Sequence, residues 1–291
     1  MTIRLRTLLI VVLALALLAG ALGGWVLWRG VYDISATNQH TDPVFKVLDY
    51  AMRRSVQSRL DQVAAPPDLD DARRVRAGAL TYRDQCVQCH GAPGVAPGPL
   101  AFGLTPAPAN LLAAGRTWIP GEIFWVVKHG IKMTGMPAWV YRLSDDEVWD
   151  VVAFVRAMPL LAPRDYAQLA ASLPAPGSVS VVSKPSSDDG PLRPGDVAAG
   201  KRATERFLCV TCHVIPGFVS AQHHVGPPLD GMGKRGFIAG VLPNSRENMV
   251  RFLMDPKQVD ADTAMPALGL SEQDARDIAA YLATLDKVKV R

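Results

Sequence analysis

At 291 residues the chain is longer than one typical domain and leaves room for two domains and a membrane segment. A hydrophobic share of 49% is ordinary for globular domains, so each half has the means to bury a core. The formal charge of +4 is spread out (0 over 1–71, +3 over 72–158, 0 over 159–195, +1 over 196–291) and forms no basic stripe of the kind a nucleic-acid interface requires.

Arg4 and Arg6 precede Thr7 to Trp28, a run of 22 residues without a charge. As a helix it spans roughly 33 Å, enough to cross a bilayer core. The arginines favour a cytoplasmic N-terminus, and Trp25 and Trp28 suit the far interface. A cleavable signal peptide has the same charged start and apolar centre. The length of this run, and the lack of an A-x-A site after it, favour an uncleaved anchor over residues 1–30 with the rest exported.

Residues 31–71 hold an amphipathic helix expected over 43–63, with Asp42 as N-cap and Pro43 at the first helical position. Val44, Leu48, Met52, Val56 and Leu60 repeat every four residues, joined by Val47 and Val63. Such a stripe packs on its own domain, on a membrane or on a partner subunit, and the first of these is the commonest use.

Two copies of one plan follow. In 72–158, Ala72–Gln85 reads as a helix leading to Cys86; a Gly/Pro-rich stretch comes next, then helices over Glu122–Gly130 and Ser144–Met158. A capping box is expected at Ser144-Asp145-Asp146-Glu147. Residues 159–195, rich in Pro, Ser, Ala and Gly, read as a linker that averages about 35 Å as a coil, with room for a short helix in 163–172. In 196–291, a helix over Ala198–Leu208 leads to Cys209 and one over Ser271–Leu285 closes the unit. The closing helices align without gaps, LSDDEVWDVVAFV at 143–155 against LSEQDARDIAAYL at 270–282.

All four cysteines stand in Cys86-Val87-Gln88-Cys89-His90 and Cys209-Val210-Thr211-Cys212-His213, so no disulfide framework remains. C-x-x-C-H is the pattern of covalent c-type haem attachment, in which each cysteine adds to a vinyl group and the histidine sits beneath the iron. A four-cysteine zinc site leaves both histidines unexplained, and the pairs are 123 residues apart. A thioredoxin-like pair needs a βαβ context that neither copy shows. The expected cofactor is therefore two covalently bound haem c, with His90 and His213 as proximal iron ligands.

Each iron needs a sixth ligand. Met133, Met136 and His129 are the candidates in the first unit; Met232, Met249, Met254, Met265, His223 and His224 are those in the second. Met136 and Met265 stand in Met-Pro-Ala just before the closing helix in both copies, where proline keeps the preceding residue out of a helix. That repetition singles them out, with Met133 as the rival of Met136. A second haem with two histidine ligands is the minor alternative, and His40 has no assigned role.

These motifs resemble those of class I cytochromes c, in a membrane-anchored dihaem arrangement. The resemblance implies a mainly α fold, an N-terminal transmembrane helix followed by two class I cytochrome c-like helical domains. It implies a crossing of the first and last helices at Gly78 and Tyr82 with Phe154, and at Gly200 and Phe207 with Tyr281. It also implies that a proline carbonyl receives the proximal histidine proton, Pro227 in Gly226-Pro227-Pro228-Leu229 and Pro99 in the shorter Gly98-Pro99-Leu100. Arg235 is expected near a haem propionate, or is an ordinary surface arginine. Residues 225–271 look like the cytochrome c domain fused to subunit II of haem–copper oxidases, and GIKMTGMPAW resembles small cytochromes of bacterial respiratory chains.

The expectation is an electron carrier without a catalytic residue. It would be held in a bacterial inner membrane by one span, with its haem domains on the periplasmic side. It would pass electrons from a donor protein to a terminal oxidase, as its subunit or dedicated donor. The alternatives are the cytochrome subunit of a periplasmic dehydrogenase and, more remotely, a dihaem peroxidase, which needs an open iron position.

Overall fold

The computed structural model describes residues 2–176, 191–218 and 225–287. They are mainly helical. Helix α1 (Thr2–Arg29) is followed by α2 (Asp42–Gln57), α3 (Ala72–Gln85), α4 (Val87–His90), α5 (Leu111–Thr117), α6 (Pro120–His129), α7 (Asp145–Ala157) and α8 (Pro163–Ala171). After the linker come α9 (Val197–Arg206), the hairpin β1 (Phe237–Ile238) and β2 (Leu242–Pro243), α10 (Arg246–Met254), α11 (Pro256–Val259) and α12 (Glu272–Ala283). Contacts group the chain into two units, Met1–Ala138 with Asp145–Val179, and Trp139–Ser144 with Ser180–Arg291.

Helix α1 contains a 26-residue span, Arg4–Arg29, long and apolar enough to cross a membrane, and none of it is buried against the protein. Helix α2 starts one residue before its expected first position, with Thr41 rather than Asp42 at the N-cap, and Asp42 instead pairs with Lys46 at 2.5 Å. It also stops at Gln57 instead of reaching 63. The carbonyl of Ser55 is taken by the Ser58 hydroxyl (3.1 Å) and the Arg59 guanidinium (2.7 Å). Side chains that capture a late helix carbonyl compete with continued winding. A 3-10 turn, Leu60–Gln62, follows.

The first unit is built on the packing of α3 against α7. Asp71 caps α3, accepting from the Arg73 amide at 2.7 Å. Where the helices cross, a Cβ on Gly78 would lie 1.8 Å from the carbonyl oxygen of Asp150, so only glycine fits. Tyr82 and Phe154 lie within 5.1 Å of each other, and both are fully buried. The Tyr82 hydroxyl donates to the Gly91 carbonyl at 2.8 Å, tying the crossing to the segment after His90. Around it, Phe124 of α6 stacks on Trp149 of α7 at 4.3 Å.

The second unit repeats this frame with α9 against α12. A Cβ on Gly200 would lie 1.9 Å from the Asp277 carbonyl oxygen and 2.9 Å from Tyr281. Phe207, Ile215, Met232, Ile238, Met249, Phe252, Ile278 and Tyr281 form the core with their neighbours. The hairpin and α10 cover its far side. The Asn244 amide closes that loop by donating to the carbonyls of Met232 (2.8 Å) and Arg235 (2.9 Å).

Part of the stretch read as linker belongs to the folded units. Tyr166 of α8 is buried beside Phe154, and Arg76 and Arg83 of α3 donate to the Ser172 hydroxyl (2.8 Å) and the Pro174 carbonyl (2.7 Å). At the other end, Arg193 pairs with Asp277 at 2.8 Å. One buried aromatic and a few arginine-to-carbonyl bonds leave no periodic pattern in the sequence, which is why composition alone reads 159–195 as linker. Its centre, 177–190, lies outside the described residues.

Replacing Gly78 or Gly200 by alanine is expected to cost about 3 kcal/mol in its own unit, because the new methyl meets a backbone oxygen that no rotamer change can move. Thermal unfolding followed by far-UV circular dichroism, with c-haem yield per chain, checks this.

Candidate haem sites

The first site grows from the end of α3. The Cys86 amide still bonds to the Tyr82 carbonyl (2.8 Å), and the short α4 then carries Cys89 and His90. Neither cysteine is in a disulfide, and burial pushes the Cys86 thiol up to about 12. Nδ1 of His90 lies 2.7 Å from the carbonyl oxygen of Ala109. A carbonyl only accepts, so Nδ1 carries the proton and Nε2 presents its lone pair.

That acceptor replaces the expected one. Pro99 opens a 3-10 turn and its carbonyl accepts from the Phe102 amide at 3.2 Å. Ala109 is placed instead by the start of α5, where Asn110 is the N-cap and its side chain accepts from the Leu112 amide at 3.0 Å. A signal was present: Ala109 stands two residues before Leu111, as Pro227 stands two before Leu229. His90 also borders a small cleft of about 100 Å³ shared with Pro97, Pro108, Asn110 and the buried Met158.

The second site is reached differently. Helix α9 ends at Arg206, two residues before its expected end, and Leu208 takes a left-handed conformation (φ 56°) before Cys209–Thr211 winds as a 3-10 turn. Cys209 and Cys212 are not in a disulfide, and burial pushes the Cys209 thiol up to about 11. Nδ1 of His213 lies 2.8 Å from the Pro227 carbonyl oxygen, again leaving Nε2 open. A Cβ on Gly226 would fall 2.4 Å from the imidazole Cε1, so the ring approaches this backbone only because glycine is there. The amide of Gly226 bonds back to Cys212 O (2.9 Å) and that of Leu229 to Val214 O (2.9 Å), fastening this loop to the motif. Arg235 is half-buried, its guanidinium donating to the carbonyls of Pro228 and Asp230.

The methionine candidates separate by environment. Met133 is 92% exposed with a left-handed backbone (φ 61°), whereas Met136 is half-buried. The amide of Met136 accepts no strain of that kind: it donates to the Thr134 hydroxyl at 3.0 Å, and its carbonyl receives the Ile131 amide at 3.2 Å. In the second unit Met265 is half-buried against the core, and its amide donates to the Thr263 hydroxyl at 3.3 Å. Thr-x-Met-Pro-Ala is thus a repeated turn as well as a repeated motif. Met232 and Met249 are buried core residues, and Met254 is 40% exposed on α10. His129 lies against Trp125, with 4.8 Å between rings, and His40 bonds to the Tyr32 hydroxyl at 2.6 Å. His223 and His224 lie outside the described residues.

Each unit therefore offers two cysteines, an imidazole whose bond at Nδ1 leaves the Nε2 lone pair available, and a thioether in a half-buried loop. These are the donor types that would hold a covalently attached haem.

Residues 73–155 match the family model described as cytochrome c oxidase, cbb3-type, subunit III, and residues 197–286 match that of cytochrome c. The chain carries two cytochrome c domains. Such domains carry covalent haem c and transfer electrons.

Cytochrome c oxidase subunit 2 of Alkalihalophilus pseudofirmus is 34% identical over 87 residues, 30% of this chain and 25% of that protein. Quinohemoprotein alcohol dehydrogenase of Comamonas testosteroni is 33% identical over 135 residues, 44% of this chain and 18% of that protein. The chain thus spans a quarter or less of these relatives' length. A reducing HAO-like protein complex of Kuenenia stuttgartiensis aligns with 72% of this chain and 96% of that chain at 19% identity, but its TM-score of 0.26 gives it no weight.

Asn110→Ala is expected to destabilise the first cytochrome domain by about 1 kcal/mol through loss of the α5 cap. Pro99→Ala leaves the His90 bond intact and is expected to change stability by less than about 0.5 kcal/mol. Denaturant melts of the two variants, followed by haem absorbance, check the contrast.

Proposed function

We propose that this protein is a membrane-anchored dihaem electron carrier that delivers electrons to a terminal haem–copper oxidase, as its subunit or dedicated donor. Cys86 and Cys89 hold one haem and Cys209 and Cys212 the other. His90 with Met136, and His213 with Met265, would hold the two irons. Bound haem supplies a one-electron iron couple, which the side chains of the protein do not possess.

The protein's own residues fix and tune that couple. The carbonyls of Ala109 and Pro227 hold each imidazole in one orientation and raise its basicity through the Nδ1 bond. The hydroxyls of Thr134 and Thr263 fix the backbone from which each methionine projects. Methionine ligation raises the reduction potential relative to other axial partners. Met136 and Met265, as second donors to the two irons, would disfavour the peroxidase reading. Helix α1 spans the inner membrane and places both domains on the periplasmic side, following the arginines before it.

The oxidase reading is carried by the match of the first domain to a cbb3-type subunit III model, together with the likeness to an oxidase subunit 2. A second reading, the cytochrome subunit of a periplasmic dehydrogenase, is favoured by the likeness to a quinohemoprotein alcohol dehydrogenase. Gentle extraction and tagged purification from native membranes separate them. Oxidase haem and oxygen uptake travelling with the c-haem signal support the first; a co-purifying dehydrogenase supports the second.

Haem analysis is expected to give two c-haems per chain, and one after Cys209 and Cys212 are replaced by alanine. Met136→Ala and Met265→Ala are each expected to lower one potential by a sizeable part of the about 0.8 V range that axial ligands command. Met133→Ala leaves both unchanged. Spectroelectrochemical titration of the three variants is the measurement.

A further inference from the structure

The apolar stripe of α2 outruns the domain on which it packs. Val44, Phe45, Leu48, Met52 and Val56 recur along one side of the helix. Its C-terminal half is covered: Val56 is buried, Met52 half-buried, Arg53 lies over the Trp118 ring at 5.1 Å, and Gln57 donates to Glu122 at 3.3 Å. The N-terminal half overhangs, with Phe45 50% and Leu48 51% exposed, flanked by Val47 at 67% and Tyr50 at 68%. On its polar side Lys46 pairs with Asp42 at 2.5 Å, Arg53 with Asp49 at 3.0 Å, and Arg54 donates to Gln57 at 3.2 Å. The overhang is therefore an apolar edge with a charged face opposite it, the make-up of a helix that lies in a lipid interface.

What lies next to it in the chain names the occupant. Helix α1 ends at Arg29 and α2 begins at Asp42, so 12 residues join them. Those residues are folded: the Val31 amide bonds to Val26 O (3.1 Å), Asp33 accepts from the Ser35 amide (2.8 Å), and the Tyr32 hydroxyl meets His40 Nδ1 (2.6 Å). The Ala36 carbonyl also accepts from the Thr105 hydroxyl at 2.7 Å, which attaches this joint to the first cytochrome domain. Trp25 and Trp28 stand at the end of α1, the residue type enriched where a span meets the membrane–water boundary.

We propose that residues 42–51 of α2 lie in the interfacial layer of the bilayer that α1 crosses, with Phe45 and Leu48 inserted among the lipids. This rests on the reading of α1 as a membrane span. It holds the first cytochrome domain flat against the membrane, fixed at two points instead of swinging from one.

The test uses the full-length, haem-loaded protein in nanodiscs of phosphatidylethanolamine and phosphatidylglycerol. Wild type is compared with a Phe45→Gln, Leu48→Gln double variant, whose glutamines are good helix formers and keep the helix itself. Amide exchange over 43–51 is expected to be about tenfold or more slower in the wild type, with 120–129 exchanging alike in both. A lipid carrying a photoreactive acyl chain is expected to label 43–51 in the wild type and to lose that labelling in the variant. Equal exchange in the two proteins, with labelling confined to α1, overturns the proposal while leaving the span intact. An α1 that exchanges freely and takes no label overturns the span and the proposal with it.

Discussion

Both domains depend on one close approach. At the crossing of α3 with α7, and of α9 with α12, a glycine lies so near the carbonyl of an aspartate that any side chain would intrude. That contact sets the distance at which the aromatic pairs beside it can meet. The haem motif begins just past the end of the helix that carries this glycine, so the crossing also sets where the cysteines stand. The aspartates at the two crossings, Asp150 and Asp277, are both paired with arginine, but the arginines come from different places. Arg74 lies on α3 itself, whereas Arg193 lies ahead of α9. The duplicated frame is kept and its electrostatic support is rebuilt.

The proximal histidines show the same economy. Each is oriented by a single backbone carbonyl, and the two carbonyls are delivered by unlike means. Pro227 stands fourteen residues after His213, held where the Gly226 and Leu229 amides bond to the carbonyls of Cys212 and Val214; Ala109 is brought nineteen residues after His90 by the capped start of a helix. A backbone acceptor needs only the right position, so evolution of the intervening loop is free to change its length and composition.

Side-chain chemistry was legible in the sequence, but of the two backbone acceptors of the motif histidines only Pro227, expected from the resemblance, was. Cys, His and Met announce a haem by their types and spacing, and the lead-in and closing helices follow from apolar period and capping residues. The Ala109 carbonyl has no residue type to announce it. Helix α5 lies hidden in a stretch rich in glycine and proline, and α8 contributes one buried tyrosine in place of a stripe. The end of α2 was missed for a related reason, since it turns on which side chains reach the Ser55 carbonyl. Met136 was singled out from Met133 by the repeated Met-Pro-Ala, and the exposure and left-handed backbone of Met133 are the structure's addition to that choice.

The two threonine turns bear on the ease of electron transfer itself. A centre that gains and loses one charge works fastest when few surrounding atoms must move in response, which is the advantage of preorganised donors. Thr134 and Thr263 hold the methionine backbones through bonds made wholly within the loop, and the histidine rings are likewise held from outside the iron. On the proposed ligation, donors held from outside the iron would keep their places whichever charge the metal carries, and little reorganisation would be left to the protein on each transfer.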